Sequence, residues 1–145
     1  MKFYLAGPFF NDEQRGVMVQ IEDMAANSGM ALYSPRLESY CPPNAPEEIR
    51  LATFTSNYLN IRTNQFVLAR IDDFDPGTMW EIGYAYAVKT PVYAFTTVEG
   101  RGLNLMLAQS CKGFLVGMES VFNFLRAMEE NYDDSEATKW MKPII

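Results

Sequence analysis

Residues 72–85 read Asp72-Asp73-Phe74-Asp75-Pro76-Gly77-Thr78-Met79-Trp80-Glu81-Ile82-Gly83-Tyr84-Ala85, a run of aspartates followed by one glutamate inside a helix-forming segment. Carboxylates so placed can act as nucleophile, general acid or general base. Thr78-Met79-Trp80-Glu81 also fits a helix capping box, in which the glutamate only satisfies backbone donors. The company of Glu81 favours chemistry. Asp75 lies six residues earlier across a Pro-Gly turn, and Trp80, Gly83 and Ala85 describe a closely packed, partly apolar helix. Such surroundings make a carboxylate titratable rather than simply solvated. Asp72 and Asp73 read as solvated loop acids rather than metal ligands.

The rest of the chain narrows the chemistry further. It contains no histidine, which removes Ser-His-Asp catalysis and the commonest general base. Cys41 and Cys111 have no C-x-x-C spacing, so neither a zinc site nor a cysteine nucleophile is expected, and nothing suggests a metal or another cofactor. Any catalysis must run on carboxylate, tyrosine or lysine.

With 145 residues, 48% hydrophobic, the chain reads as a single domain over 1–145 with enough apolar mass for a core. A net charge of -6 and a pI near 4.6 argue against nucleic acid or an anionic membrane surface as partner. A small, weakly charged ligand fits better. No apolar run approaches the roughly 18 residues of a membrane span, and Met1-Lys2-Phe3-Tyr4 leads into a strand rather than a signal peptide, so a cytoplasmic location is expected.

The elements that must position the acids follow from periodicity. Residues 3–6 read as a first strand broken by Gly7-Pro8, and Asn11 can cap a helix that stops near Gly29. A short strand at 30–33 precedes a loop through Pro35, Pro42, Pro43 and Pro46, too proline-rich for regular structure and placed to cover a ligand. An imperfect helix over 47–62 leads to a buried strand at 67–71, whose carboxyl end carries the acids. Then come the Glu81 helix, strands at 91–95 and 113–116 joined by a loop, and a helix over 119–130.

Alternating strands and helices predict a five-stranded parallel sheet covered on both faces, doubly wound in the flavodoxin-like order 2-1-3-4-5. That order places its switch point between strands one and three. Residues 4–9 and 72–81 would then line one crevice, where Gly7 would let a ligand approach the backbone. A response-regulator receiver would end its first strand in acids, whereas this one ends Ala6-Gly7-Pro8. P-loop and G-x-G-x-x-G phosphate cradles are absent too.

Tyr4-Leu5-Ala6-Gly7-Pro8, the block from Asp75 to Ala85, and Leu103-Asn104-Leu105-Met106 together resemble the nucleoside 2-deoxyribosyltransferase family, in matching order over most of the chain. The resemblance implies that Glu81 attacks C1′ of a 2′-deoxynucleoside, giving a covalent deoxyribosyl-enzyme that a second base resolves with net retention. It makes Tyr4 the residue that positions the nucleophile, and Asp75 a base contact that manages the leaving proton. Each also has a plainer reading, Tyr4 as core and Asp75 as helix cap.

In the family a polar residue, often Asp, contacts the leaving base upstream of the third strand. Asn57 falls there, or Tyr58 if the gap is placed differently, and an asparagine cannot be a general acid. Asn104 matches the residue that relatives present to a neighbouring subunit's site to bind the sugar, which implies a homo-oligomer, dimer or hexamer, with shared sites. Phe9 and Met106 complete the substrate-binding set. The tail 131–145 suits packing on a partner subunit. Asn104 favours an unphosphorylated 5′-hydroxyl, while Arg101-Gly102 and Ser110 keep a phosphate open. Met18, Met24, Met106, Phe122 and Phe124 read as core or interface rather than a cofactor box.

Three functions compete on these residues. The first is deoxyribosyl transfer in nucleoside salvage. The second is N-glycosidic hydrolysis of deoxynucleosides or nucleoside 5′-monophosphates, which differs in whether water reaches the intermediate. The third is a non-catalytic nucleoside-binding module, which would have no use for Tyr4, Asp75 and Glu81 together.

Overall fold

The computed structural model describes residues 1–145. The elements run β1 (Lys2–Ala6), α1 (Asp12–Asn27), β2 (Ala31–Tyr33), α2 (Pro35–Glu38), α3 (Glu47–Thr63), β3 (Phe66–Arg70), a 3-10 turn (Asp72–Phe74), α4 (Pro76–Ala87), β4 (Val92–Thr96), α5 (Leu105–Ser110), β5 (Gly113–Val116) and α6 (Met118–Asn131). All strand pairs are parallel, in the order β2-β1-β3-β4-β5, the flavodoxin-like order expected. No helix is long and apolar enough to cross a membrane.

The sheet is buried on both faces, so its strands read as continuous apolar runs rather than alternating ones. Alternation still decides which face each side chain serves. Phe3, Leu5, Phe66, Leu68 and Tyr93 point to the face covered by α1 and α6, where they meet Ile21, Ala25, Phe124 and Leu125. Tyr4, Ala6, Val67, Ala69 and Ala94 point to the opposite face, against Ile61 of α3 and Ile82 and Ala85 of α4. The small residues at 6, 69 and 94 let α4 sit close to the sheet. One step of register in β1 would send Tyr4 to the wrong side. Truncating Phe66 or Leu68, neither exposed at all, would cost about 3 to 5 kcal/mol.

Two segments correct the expectation of loops. The proline-rich stretch starts with the single helical turn α2, because Pro35 occupies the first helical position, where its missing N–H goes unused. The loop after β4 contains α5, capped by Asn104, whose Oδ1 accepts from the Met106 N–H at 2.8 Å. The tail also folds back on its own chain. Thr138 bridges Phe114, Ile144 bridges Leu103, and the Trp140 ring lies 5.0 Å from that of Phe114. The Trp140 ring is therefore spent within the chain, whereas Met141, Ile144 and Ile145 stay exposed.

Candidate active site

The site is built where β3 ends. After Arg70 the chain makes a 3-10 turn in which Asp73 and Phe74 take left-handed φ values of 68° and 45°, an unfavourable conformation for residues with side chains. Asp72 holds the turn. Its carboxylate accepts from Thr96 Oγ1 at 2.5 Å, from Thr97 N at 2.9 Å and Oγ1 at 2.8 Å, and from Arg70 Nε at 3.0 Å. Asp73 accepts from Gln14 Nε2 at 3.0 Å, tying the turn to α1.

The reading of Asp72 as a solvated acid is therefore wrong: the residue is 2% exposed. Burial opposes its ionisation, but the donors of Thr96, Thr97 and Arg70 outweigh burial and hold the carboxyl below the usual range. Arg70 itself is braced by Glu13 at 2.6 Å. Arg101, open in sequence to a phosphate role, rests its Nε 3.2 Å from Asp72 and its guanidinium 5.3 Å from the Phe74 ring centre.

Asp75 then starts α4. Its Oδ2 accepts from Thr78 N and Thr78 Oγ1, both at 2.9 Å, with Pro76 at the first helical position. Asp75, not Thr78, is thus the cap, and Glu81 lies beyond the first turn, where no free backbone donors remain. The capping-box reading of Glu81 falls on this geometry. The carboxylate turns to the sheet instead, and Oε2 accepts a short hydrogen bond from the Tyr4 hydroxyl.

Tyr4 is fully buried, stacked on Tyr33 with ring centres 5.5 Å apart. Burial and the neighbouring Glu81 charge push its phenol far above its ordinary range, so it serves as a donor and not as an acid. Glu81 is half-buried as a residue, and its carboxyl is the withdrawn end. Burial pushes that carboxyl up to about 7, with the Tyr4 hydrogen bond pulling down and the Asp75 charge adding to the rise. A carboxylate that gives up its proton near neutrality, with a single protein donor, remains a nucleophile in the pH range where enzymes work.

Glu81 and Asp75 border a cleft of about 780 Å3 at the carboxyl ends of β1 and β3. Gly7 and Phe9 come from the loop after β1, Pro35 to Pro43 from the segment after β2, Thr53, Phe54 and Asn57 from α3, and Trp80 from α4. Of the sequence-expected residues the structure brings together Glu81, Asp75, Tyr4, Gly7, Phe9 and Asn57. Asn57 rather than Tyr58 faces the cleft; Tyr58 packs its ring on Phe54 and Tyr84. Asn104 and Met106 do not line it, and Met106 is 71% exposed.

Gly7 has a second reason to be glycine. A Cβ there would lie 2.8 Å from Met18 Cε and 3.2 Å from Arg70 Cβ, so a larger residue would make the Met18 side chain and Arg70 give way behind the cleft. Sequence reasoning passed over Trp80 and Phe54 as cleft aromatics, and over Tyr33 and Ser39, which hydrogen bond Asn57. An aromatic at spacing i, i+4 on α4, Trp80 stacked on Tyr84 at 5.2 Å, was the available signal for the first. A second depression, about 600 Å3, lies around Tyr86, Lys89 and Lys112 and has no carboxylate in its lining.

Comparisons with known proteins bear on the fold and the family. A 2-deoxyribosyltransferase from the psychrotolerant bacterium Bacillus psychrosaccharolyticus is 29% identical, covers 100% of both chains and superposes with a TM-score of 0.78. A CMP N-glycosidase of Clostridium botulinum is 14% identical over 87% of this chain and 99% of its own, TM-score 0.60. A conserved protein of Enterococcus faecalis is 23% identical over 97% and 80%, TM-score 0.55. The last two share the fold. No curated protein matches the sequence significantly. The model of the nucleoside 2-deoxyribosyltransferase family matches residues 3–132, and the chain belongs to that family.

Proposed function

We propose that the protein transfers 2-deoxyribose between the bases of 2′-deoxynucleosides through a covalent glycosyl-enzyme on Glu81, as a salvage enzyme of the cytoplasm. The observation that carries this reading is the Glu81 carboxylate, withdrawn from water, held by the Tyr4 hydroxyl and facing a cleft with Asp75 beside it. In the first step a Glu81 oxygen bonds to C1′ while the C1′–N bond breaks, its electron pair leaving on the base. Asp75, whose Oδ2 is engaged by Thr78, keeps Oδ1 to exchange a proton with that base, or water does so. In the second step a nitrogen of the incoming base attacks C1′ and Glu81 departs. Two inversions give retention.

Tyr4 acts by position. Its single donor fixes Oε2 and leaves Oε1 to reach the sugar. The walls of Phe9, Phe54 and Trp80 supply apolar surface for a base and limit the water that would hydrolyse the intermediate. Asn104 and Met106, exposed and outside the cleft of their own chain, suit the family arrangement in which a neighbouring copy completes the sugar site.

Hydrolysis of a nucleoside 5′-monophosphate is the competing reading. Against it, both cleft arginines are already neutralised, Arg15 by Asp12 at 2.5 Å and Arg36 by Glu22 at 2.5 Å. Chromatography of a deoxynucleoside panel, with and without a different free base, tests the proposal. A new nucleoside formed only with acceptor, and absent with Glu81→Ala, is the expected result. Free base released at the same rate without acceptor would make the protein a hydrolase, and no turnover would leave a binding module. If the sites are shared, mixed oligomers of Glu81→Ala and Asn104→Ala should recover activity that neither variant has alone.

A further inference from the structure

The hydrogen bonds around Asn57 give the base side of the cleft a definite polarity. Asn57 Oδ1 accepts from Ser39 Oγ at 2.7 Å and from Tyr33 Oη at 3.1 Å, and Tyr33 Oη lies 2.7 Å from Ser56 Oγ. The chain of donors closes when Ser56 donates to Tyr33, Tyr33 to Asn57 and Ser39 to Asn57. Each hydroxyl hydrogen is then used, and both lone pairs of Oδ1 are filled. Turning the amide over would set Nδ2 against two hydroxyls and leave the Ser39 hydrogen without this partner. The Asn57 Nδ2 group makes no hydrogen bond within the chain, is not sealed from solvent, and belongs to a residue that lines the cleft.

Resting on the transferase reading above, we infer that Tyr33 and Ser39 lock the Asn57 amide as a hydrogen-bond donor, so that this wall selects a base presenting a carbonyl oxygen or an unprotonated ring nitrogen. Tyr33 and Ser39 are positioning residues; Asn57 touches the substrate. The carboxyl groups in the same lining are complementary, because Asp75 and Glu81 when ionised offer only acceptors. A base that leaves with an extra electron pair is met on one side by a donor that needs no proton uptake, and on the other by a carboxylate that can return the proton. An aspartate at this position could donate only when protonated. The asparagine keeps its donor at every pH, and hence at pH values where Glu81 is ionised.

The charged and titratable groups around Asn57 are Tyr33 on β2, Arg36, Tyr40 and Cys41 in the segment that follows, Arg15 on α1, Asp75 at the cap of α4 and Glu81 on it. Of these, the Glu81 carboxyl is the one pushed up to about 7, so the activity of the parent protein should rise through neutrality. Asn57→Asp keeps the shape and the bonds from Ser39 and Tyr33 but replaces the donor with an ionised acceptor.

The experiment is kcat/KM against pH from 5 to 9 for the parent, Asn57→Asp, Glu81→Ala and the pair Ser39→Ala and Tyr33→Phe, each checked by thermal melting. At pH 8 the Asn57→Asp variant should fall to about a tenth of the parent or less. The Ser39→Ala, Tyr33→Phe double variant should raise KM at least about threefold while kcat changes less, since it frees the amide to turn without touching the nucleophile. Asn57→Asp within twofold of the parent at pH 8 would overturn the inference, because the cleft would then be reading an acceptor. An unchanged KM in the double variant would overturn it too, and that measurement decides the matter if Asn57→Asp does not fold. Activity surviving in Glu81→Ala would instead sink the transferase reading itself.

Discussion

Asp72 and Glu81 stand on either side of Asp75, nine residues apart, and both carboxyl groups are withdrawn from water. Their titration runs in opposite directions. Burial raises both, yet Asp72 is met by donors from Thr96, Thr97 and Arg70 and stays ionised, whereas Glu81 receives one donor from Tyr4 and is pushed up to about 7. A buried carboxylate with its lone pairs filled is a brace; one left nearly unpartnered has the character of a reagent, the role we propose for Glu81. The two depend on each other. The brace fixes the left-handed turn at Asp73 and Phe74, the turn sets Asp75 as the start of α4, and α4 delivers Glu81 under Tyr4.

The sharpest test removes the reagent. Glu81→Ala should lower kcat by about ten-thousand-fold or more, as expected for loss of a nucleophile. Glu81→Gln should leave the fold no less stable. The sign follows from the raised folded pKa, since ionisation costs stability as pH climbs from the unfolded value near 4.3 through about 7. At pH 8 the glutamine variant should therefore melt above the parent, and at pH 4 the two should converge. A lower melting point at pH 8 would put Glu81 with Asp72 among the braces.

Removing the brace should do the reverse. Asp72→Ala leaves Arg70, 2% exposed, with Glu13 as its remaining acidic partner, and should cost about 3 to 5 kcal/mol in denaturant unfolding. Because the folded pKa of Asp72 is lowered, its contribution is present above the unfolded value near 3.9 and is lost as pH falls through the lower folded one. The gap between parent and variant should close in acid. A gap that is constant with pH would mean that the charge is not the stabilising feature.

Tyr4→Phe probes the single donor to the reagent. It should reduce kcat by about ten- to a hundredfold and move the rising limb of the pH profile to higher pH, because the bond that holds Glu81 down is gone. An unshifted profile would separate Tyr4 from the titration of Glu81. The smallest effect is expected from Thr96→Val, which removes one of several donors to Asp72 and should cost about 1 to 2 kcal/mol without changing kcat.

Much of this was legible in the chain itself. Apolar runs of strand length, separated by helical periodicity and by Gly and Pro, dictated five buried strands and the doubly wound order, because parallel strands must be covered on both faces. The Pro-Gly turn before a helix at the end of a strand marked Glu81 and Asp75, while it took the structure to put Tyr4, and not Phe3 or Leu5, on the α4 face. The candidates for reacting groups are local facts, marked by residue type and by distance from an element's end.

What only the tertiary structure decided was the partner of each polar group. Asp72 looked like a loop acid because its donors, Thr96 and Thr97, lie more than twenty residues away at the end of β4. Asn57 became a donor because Tyr33 and Ser39 reach it from β2 and the turn beyond α2, and the tail found Phe114 and Leu103 on its own chain. Asn104 showed only its capping role. A carboxyl's pKa, an amide's orientation and a tail's resting place all depend on which groups the fold brings within about 3 Å, and that proximity is set by strand pairing and helix packing across long sequence separations.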